Sequence, residues 1–474
     1  MTLNHSFVAL ALAFGLAGTA RAQQAPQPQQ PAATPKPAAA QQSFTPPPRG
    51  ITLSDALQLA RRYNPTQVQA RQNVRVANLG VMQAWGAYLP SVSGSGSATR
   101  NSSPQFGVSQ TSPHSDNSSF GLSASLPLFT GFQRGANLRA ANATMVLNQA
   151  ALLQQDYATD LATKQAFFNE RENEELVGVA QANLAQADQQ LRLTTEKLRL
   201  GATTRSDSLT ASVAYGTAEV QLIQARANAL TAQANLARAI GAEGMVAAVP
   251  DTTLEVRLTS LDTAALRRDA EATAPSVVEA QAGVAAAQAL LSASRSKYYP
   301  TLSLSGSQTW AGAQLPWAAA PLSQVITPTG PGTADTSFVR NPRFTGTWNV
   351  QLALSFPIFN GFQREASVVT ADATAIAARA KLRDARLGLD ASLIQALTAL
   401  DAAAAQIDVS RTSVASAQES LRMQQERYRL GASTIVDLLT AETALNQAET
   451  GLVQSRYNYL IARATLEALV GHTL

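Results

Sequence analysis

Leu126-Pro127-Leu128-Phe129-Thr130-Gly131-Phe132-Gln133-Arg134 returns 230 residues later as Phe356-Pro357-Ile358-Phe359-Asn360-Gly361-Phe362-Gln363-Arg364. The long run that each copy opens decides the fold. Residues 132–199 and 362–429 contain no proline, and only Gly135, Gly178 and Gly388 interrupt the two runs. At 1.5 Å per residue each run predicts a helix roughly 100 Å long, which no compact globule can hold. A heptad runs along both: Val177, Ala180, Leu184, Ala187 and Leu191 in the first, Ile407, Ser410, Val414, Ala417 and Leu421 in the second. Large and small residues alternating at spacings of three and four permit the close approach of a coiled coil.

Outward from these runs the repetition continues. The 230-residue shift holds without a gap to Gly241 and Gly471, with 24 identities in the 51 positions that start at Leu191 and Leu421. That is far above chance even in Ala-rich sequence, so the halves are structural copies. Upstream the shift is 210: Tyr88 and Pro90 match Tyr298 and Pro300, and Asn64-Pro65 matches Ala274-Pro275. The difference is a 20-residue insertion within 312–343, read as a Pro/Gly-rich loop. Each half therefore predicts helix, strand, loop, strand, long helix, turn and return helix. The first helix starts at Pro65 with Asn64 as N-cap and ends at Pro90. The return helix carries Leu438, Leu445, Leu452, Tyr459 and Leu466, each seven apart. Stacked end to end, the first and return helices fall about 12 Å short of the long one. We assign that gap to a girdle made of 51–63, the bridge 242–262 and the C-terminus.

The strand candidates are 91–100, 118–128, 301–311 and 347–359. In the last, Trp348, Val350, Leu352, Leu354 and Phe356 share one face and Asn349, Gln351 and Ser355 the other. Alternation over about ten residues suits a membrane-spanning strand, apolar toward lipid and polar toward water. It also suits a half-buried strand in a soluble sheet, but the long helices favour the membrane. Four strands cannot close a barrel, and an open edge in hydrocarbon leaves backbone groups unpaired at a cost of several kcal/mol each. Two chains would give eight strands and a filled interior, three would give twelve and a lumen.

Composition closes other routes. The 474 residues carry no Cys, which excludes disulfides and thiolate sites. Three histidines, His5, His114 and His472, lie too far apart in context to build a catalytic triad or a two-His metal site. Charged residues are 14% against roughly 25% in a soluble domain, and the net charge of +4 comes without a Lys/Arg cluster, so nucleic acid is not an expected partner. Acids such as Glu172, Glu174 and Glu175 read as a solvated helix face, and Gly94-Ser95-Gly96 lacks the third glycine of a dinucleotide fingerprint. No catalytic, cofactor or metal site is expected. An apolar run at 7–17 followed by Ala20-Arg21-Ala22 predicts a signal peptide, although no Lys or Arg precedes it. The expected layout is 1–22 signal peptide, 23–49 disordered Gln/Pro/Ala-rich leader, 50–249 first repeat, 250–262 bridge and 263–474 second repeat.

Leu53-Ser54-Asp55-Ala56-Leu57 through Asn64-Pro65, the strand entries Tyr88-Leu89-Pro90-Ser91 and Tyr299-Pro300-Thr301-Leu302, the paired strand exits and Tyr428-Arg429-Leu430-Gly431-Ala432-Ser433-Thr434-Ile435-Val436-Asp437 together resemble the TolC-like outer-membrane efflux family. The resemblance covers 51–474. It implies an α+β membrane protein: a homotrimer whose twelve-stranded β-barrel, four strands per chain, continues into a periplasmic α-helical barrel of coiled-coil helices. It further implies a passive exit duct in the outer membrane of a Gram-negative-type bacterium. Its partners would be outer-membrane lipid, a periplasmic adaptor (membrane fusion protein) and an inner-membrane pump of RND, ABC or MFS type, in efflux or type I secretion. A trimeric outer-membrane adhesin without a transport role is the alternative, though its strands would sit at the C-terminus rather than inside each half.

Two turns join the long and return helices, Arg199-Leu200-Gly201-Ala202-Thr203-Thr204-Arg205-Ser206-Asp207 and Arg429-Leu430-Gly431-Ala432-Ser433-Thr434-Ile435-Val436-Asp437. Gly after the first helix and Ser/Thr then Asp before the second are ordinary hairpin chemistry, and helix capping alone can account for both aspartates. The family resemblance adds a role: Asp437 as the acidic ring of a periplasmic gate, with Asp207 and Tyr428 as inter-helix ties. Thr440 stands where the family carries a second gate acid and Ser433 where it carries a tying arginine, which implies a weaker latch unless Arg205 substitutes. For adaptor docking the candidates are Leu200, Gly201, Ala202, Leu430, Gly431 and Ala432, small and apolar enough for a helical hairpin to pack on, or else plain exposed turn residues.

Overall fold

Two helices of 67 residues, α3 (Gln133–Arg199) and α7 (Gln363–Arg429), form the frame of the computed structural model. The structure describes residues 49–101, 115–249, 263–312, 322–330, 333–340 and 345–473. The expected signal peptide, nearly all of the leader and the bridge 250–262 lie outside the described residues, as do parts of the two strand-connecting loops. Along α3 pack α2 (Pro65–Gly86) and α4 (Arg205–Ile240); along α7 pack α6 (Pro275–Arg295) and α8 (Ile435–Val470). The heptad positions face inward: Val177, Ala180 and Ala187 are buried, as are Ile407, Ser410 and Leu421. Helix α3 also packs on α6 and α8, which joins the two halves.

The described parts of the expected girdle, 51–63, 242–249 and the C-terminus up to residue 473, do not fill an axial gap. Asn64, the N-cap of α2, donates from Nδ2 to the Ala239 carbonyl at 2.8 Å, so α2 and α4 abut directly. Gly241 ends α4 at φ 70°, and a Cβ there would lie 2.6 Å from the Tyr63 carbonyl oxygen. Only glycine satisfies both the left-handed backbone and this approach. Gly471 repeats the arrangement in the second half against the Thr273 carbonyl and Pro275. Around the first joint, α1 (Leu53–Tyr63) packs sideways through Ala56 and Ala60 onto Phe167, Phe168, Leu236 and Ile240. Beside it β1 (Arg49–Ile51) pairs parallel with β4 (Val246–Ala248). Its counterpart α5 (Thr263–Thr273) packs through Leu266 and Ala270 onto Leu389, Leu393 and Leu466.

Polar ties cross from α3 to α8. Tyr157 donates to the Gly471 carbonyl, Lys164 bonds Glu467 at 2.5 Å, and Glu175 accepts from Tyr457 at 2.6 Å while Arg456 lies 3.4 Å away. Residue numbers rise on one helix as they fall on the other, so the pair is antiparallel. Burial of Tyr457, and then its hydrogen bond to Glu175, push its hydroxyl pKa far up, and it stays protonated as the donor.

At the other end the four expected strands form one antiparallel sheet, ordered β2 (Ser91–Asn101), β3 (Ser115–Thr130), β5 (Thr301–Gly312), β8 (Thr345–Ser355). The two repeats meet side by side where β3 pairs with β5, and β2 and β8 are its outer strands. Register places Leu122, Leu126, Leu304, Leu352 and Leu354 on one face with Trp348 and Val350. The other face holds Ser91, Ser93, Ser97, Ser119, Ser123, Ser305, Ser307, Asn349 and Gln351, and the Ser93–Ser123 and Ser97–Ser119 hydroxyls bond at 2.8 and 2.9 Å.

The insertion is not simply a loop. Within it β6 (Leu322–Gly330) and β7 (Thr333–Arg340) pair as a separate antiparallel hairpin. Its Pro328 and Gly330 flank a register shift, so the residues that suggest a loop mark a bulge and turn instead. Strand β8 ends at Ser355, earlier than expected, because Pro357 cannot donate to the ladder.

Candidate functional site

Both helix turns are built the same way. Leu200 and Leu430 cap α3 and α7, and Gly201 and Gly431 follow at φ 72°. Ala202 then donates its N–H to the Lys197 carbonyl and Ala432 to the Arg427 carbonyl, each at 2.8 Å. Gly201 and Gly431 reach the carbonyls of Leu198 and Tyr428. This is the Schellman closure, which satisfies the last carbonyls of each long helix. Nothing lies within 4 Å of the place a Cβ would occupy on either glycine, so conformation alone selects glycine there. Leu200 and Leu430 are 74% and 73% exposed, and Gly201, Ala202, Gly431 and Ala432 are exposed around them.

The return helices start with capping boxes. Asp207 Oδ2 accepts from Thr203 Oγ1 at 2.7 Å and from the Thr204 N–H at 3.2 Å, and its own N–H donates to Thr204 Oγ1. Asp437 Oδ2 accepts from Thr434 Oγ1 at 2.7 Å and from the Thr434 N–H at 3.0 Å, with the reciprocal bond from its N–H at 3.2 Å. The hydroxyls of Thr203 and then Thr204 hold the Asp207 carboxyl below the usual aspartate range. The Thr434 hydroxyl, then its N–H, and the Arg427 charge do the same for Asp437. Both are ionised at neutral pH; Asp437 is exposed and Asp207 half-buried.

The other expected site residues divide. The tie between Asp207 and Tyr428 is not made within the chain, because the capping box turns the Asp207 carboxylate onto its own helix start. The Tyr428 hydroxyl is buried without a hydrogen-bond partner among the described residues. Its ring packs on Leu421, Leu438 and Ala441. Arg205, the first residue of α4, is exposed and forms no ion pair among the described residues, so it does not stand in for the tying arginine within the chain. Thr440 turns its hydroxyl back to the Val436 carbonyl at 2.7 Å, and the Ser433 hydroxyl is buried without a partner among the described residues. One residue went unrecognised in the sequence: Lys197, whose Nζ sits 4.2 Å from the centroid of the Tyr428 ring. The repeat could not reveal it, since the 230-residue shift pairs Lys197 with Arg427 and Tyr428 with Leu198.

Comparison with known proteins places this geometry. The family model described as outer membrane efflux protein matches residues 56–242 and 266–472, one match per repeat. Outer membrane efflux protein BepC of Brucella suis is 24% identical over 418 residues, covering 88% of this chain and 84% of that protein. Outer membrane protein TolC of Escherichia coli is 26% identical over 387 residues, 74% of each chain. Among solved structures, the CmeC outer membrane channel of Campylobacter jejuni superposes with a TM-score of 0.70 at 17% identity, over 94% of both chains. With both halves matched and the strand-to-long-helix fold shared with a solved channel, the chain belongs to the outer membrane efflux protein family, whose members are channels of the outer membrane.

Proposed function

We propose that three copies of the chain close a twelve-stranded barrel in the outer membrane and that their helices continue it as a tube into the periplasm. The observation that carries this is the four-stranded sheet: apolar on one face, lined with Ser, Asn and Gln on the other, with β2 and β8 as its outer strands. Such a sheet is satisfied in hydrocarbon only by joining β8 of one copy to β2 of the next, the apolar face toward lipid. A second feature supports assembly. Leu209, Val213, Val220, Ile223 and Leu230 form a seam at spacings of four, seven, three and seven along α4, and all are more than half exposed in the single chain.

The tube acts as a passive conduit and not as an enzyme. It receives cargo from an inner-membrane pump of RND, ABC or MFS type through a periplasmic adaptor, for efflux or type I secretion. The adaptor docks on the turns at Leu200-Gly201-Ala202 and Leu430-Gly431-Ala432. Three copies of Asp437 form the acidic constriction, which favours cations. Purified protein reconstituted in planar bilayers tests the reading, with mass measured in detergent: cation-preferring conductance from a trimer is expected, and a monomer without conductance refutes it. A photo-crosslinker on Ala432→Cys, the chain's only cysteine, should capture an adaptor in cells. Capture of sister chains alone refutes tip docking.

A further inference from the structure

We propose that the tie holding the helix tips together is a cation–π contact between Lys197 and the ring of Tyr428, with Lys197 acting as a positioning residue for the gate. The inference rests on the channel reading. The groups at the tip can be accounted for one by one. Asp207, the acceptor expected for the tyrosine hydroxyl, is turned onto its own helix start, where its Oδ2 accepts from Thr203 and Thr204. The Tyr428 hydroxyl is buried with no hydrogen-bond partner among the described residues, so it is not the group that fastens the ring. The ring does have a half-buried ammonium at 4.2 Å from its centroid, within the range of a strong contact.

The contact bridges the two halves. Lys197 belongs to the last turn of α3 and Tyr428 to the last turn of α7, so parting the two coiled-coil pairs at the tip must break it. Both residues are fixed from behind: the Lys197 carbonyl is held by the Ala202 N–H, and Tyr428 is wedged against Leu421 and Leu438. Between neighbouring chains the repeat offers Arg427 and Leu198 in the same places, and leucine has no π face. The latch is therefore one per chain, inside the chain, and three per assembled tube.

The ring, not the hydroxyl, carries the tie, and this separates the substitutions. In planar-bilayer recordings of full-length protein, Tyr428→Phe and Lys197→Arg should stay within about threefold of the parent's open-state occupancy. Tyr428→Leu and Lys197→Met should each raise it by about tenfold to a hundredfold, because three weak contacts are lost together. The double variant should rise no further than either single one, since both remove the same contact. Opening of Tyr428→Phe to the level of Tyr428→Leu would overturn the proposal in favour of the hydroxyl, and so would an unchanged Lys197→Met. If the parent itself forms no channel, the channel reading falls together with the latch; if it gates and the variants do not differ, only the latch falls.

Discussion

Gly241 and Gly201 share nearly the same backbone, φ 70° and 72°, and differ in their surroundings. That makes alanine at each a matched pair. In both, forcing a Cβ into the left-handed region costs about 1–2 kcal/mol. At Gly201 nothing else is met, whereas at Gly241 the new methyl lies 2.6 Å from the Tyr63 carbonyl oxygen and 3.1 Å from the Asn64 nitrogen, both backbone. Backbone cannot rotate aside as a side chain would, so overpacking adds about 1–3 kcal/mol. Gly241→Ala should therefore open the α2–α4 joint by about 2–5 kcal/mol in all, and each 1.4 kcal/mol is tenfold. Hydrogen exchange read by mass spectrometry reports such local opening. Peptides spanning 236–246 and 60–68 should exchange at least about thirtyfold faster in Gly241→Ala. In Gly201→Ala only 197–205 should respond, by about fivefold to thirtyfold. Equal effects of the two substitutions would refute the claim that α2 and α4 abut through this glycine.

The ties, the sheet and the caps carry further expected outcomes. Tyr457→Phe deletes a hydrogen bond to a charged, half-buried carboxylate and should loosen the α3–α8 contact by about 1.5–3 kcal/mol, seen as faster exchange in peptides around Glu175. Leu352→Arg places a charge on the apolar face of the sheet at a cost of about 2–4 kcal/mol and should abolish membrane assembly. Gln351→Arg, one residue along and on the polar face, should assemble normally and shift ion selectivity toward anions in bilayer recordings. Asp437 is held below the usual aspartate range by Thr434, so its contribution to the α8 start is present above that range and lost as pH falls through the depressed value. Thr434→Ala should move the Asp437 carboxyl titration upward, measurable by isotope-edited infrared spectroscopy, so that the contribution becomes smaller and its loss is complete at a higher pH.

Local and repeated features could be read from the chain. The absence of proline over 132–199 and 362–429 sets the two long helices, and the Gly-Ala-Thr-Thr and Gly-Ala-Ser-Thr turns announce their own Schellman closures and caps. Strands show themselves by alternation, as Trp348 to Leu354 does. The features that stayed hidden join residues far apart that the repeat does not relate. Glu175 and Tyr457 bond, yet their counterparts under the 230-residue shift are Ala405 and Ala227, which can do nothing of the kind. Lys197 and Tyr428 are separated by several helices and a sheet in sequence. The β6–β7 hairpin was obscured by its own prolines and glycines, which serve equally for loops and for bulged strands. Of the proposed gate residues, Asp207 and Asp437 show in the sequence as helix starts, but nothing local tells that the capping box turns the Asp207 carboxylate onto its own helix start while the Tyr428 hydroxyl stays without a partner among the described residues.

Among the described residues the ion pairs between α3 and α8 end at Glu175 and Arg456, and this sets a lever. From Arg456 to the start of α8 at Ile435 is 21 residues, an arm of about 32 Å. Swung by about 10° at its last anchored point, an arm of that length carries its end about 6 Å, more than the width of a water molecule. In the proposed trimer, three such arms would change the aperture with no unfolding and no sliding of helices, through a bend within the curvature long helices already show, spread over about six turns.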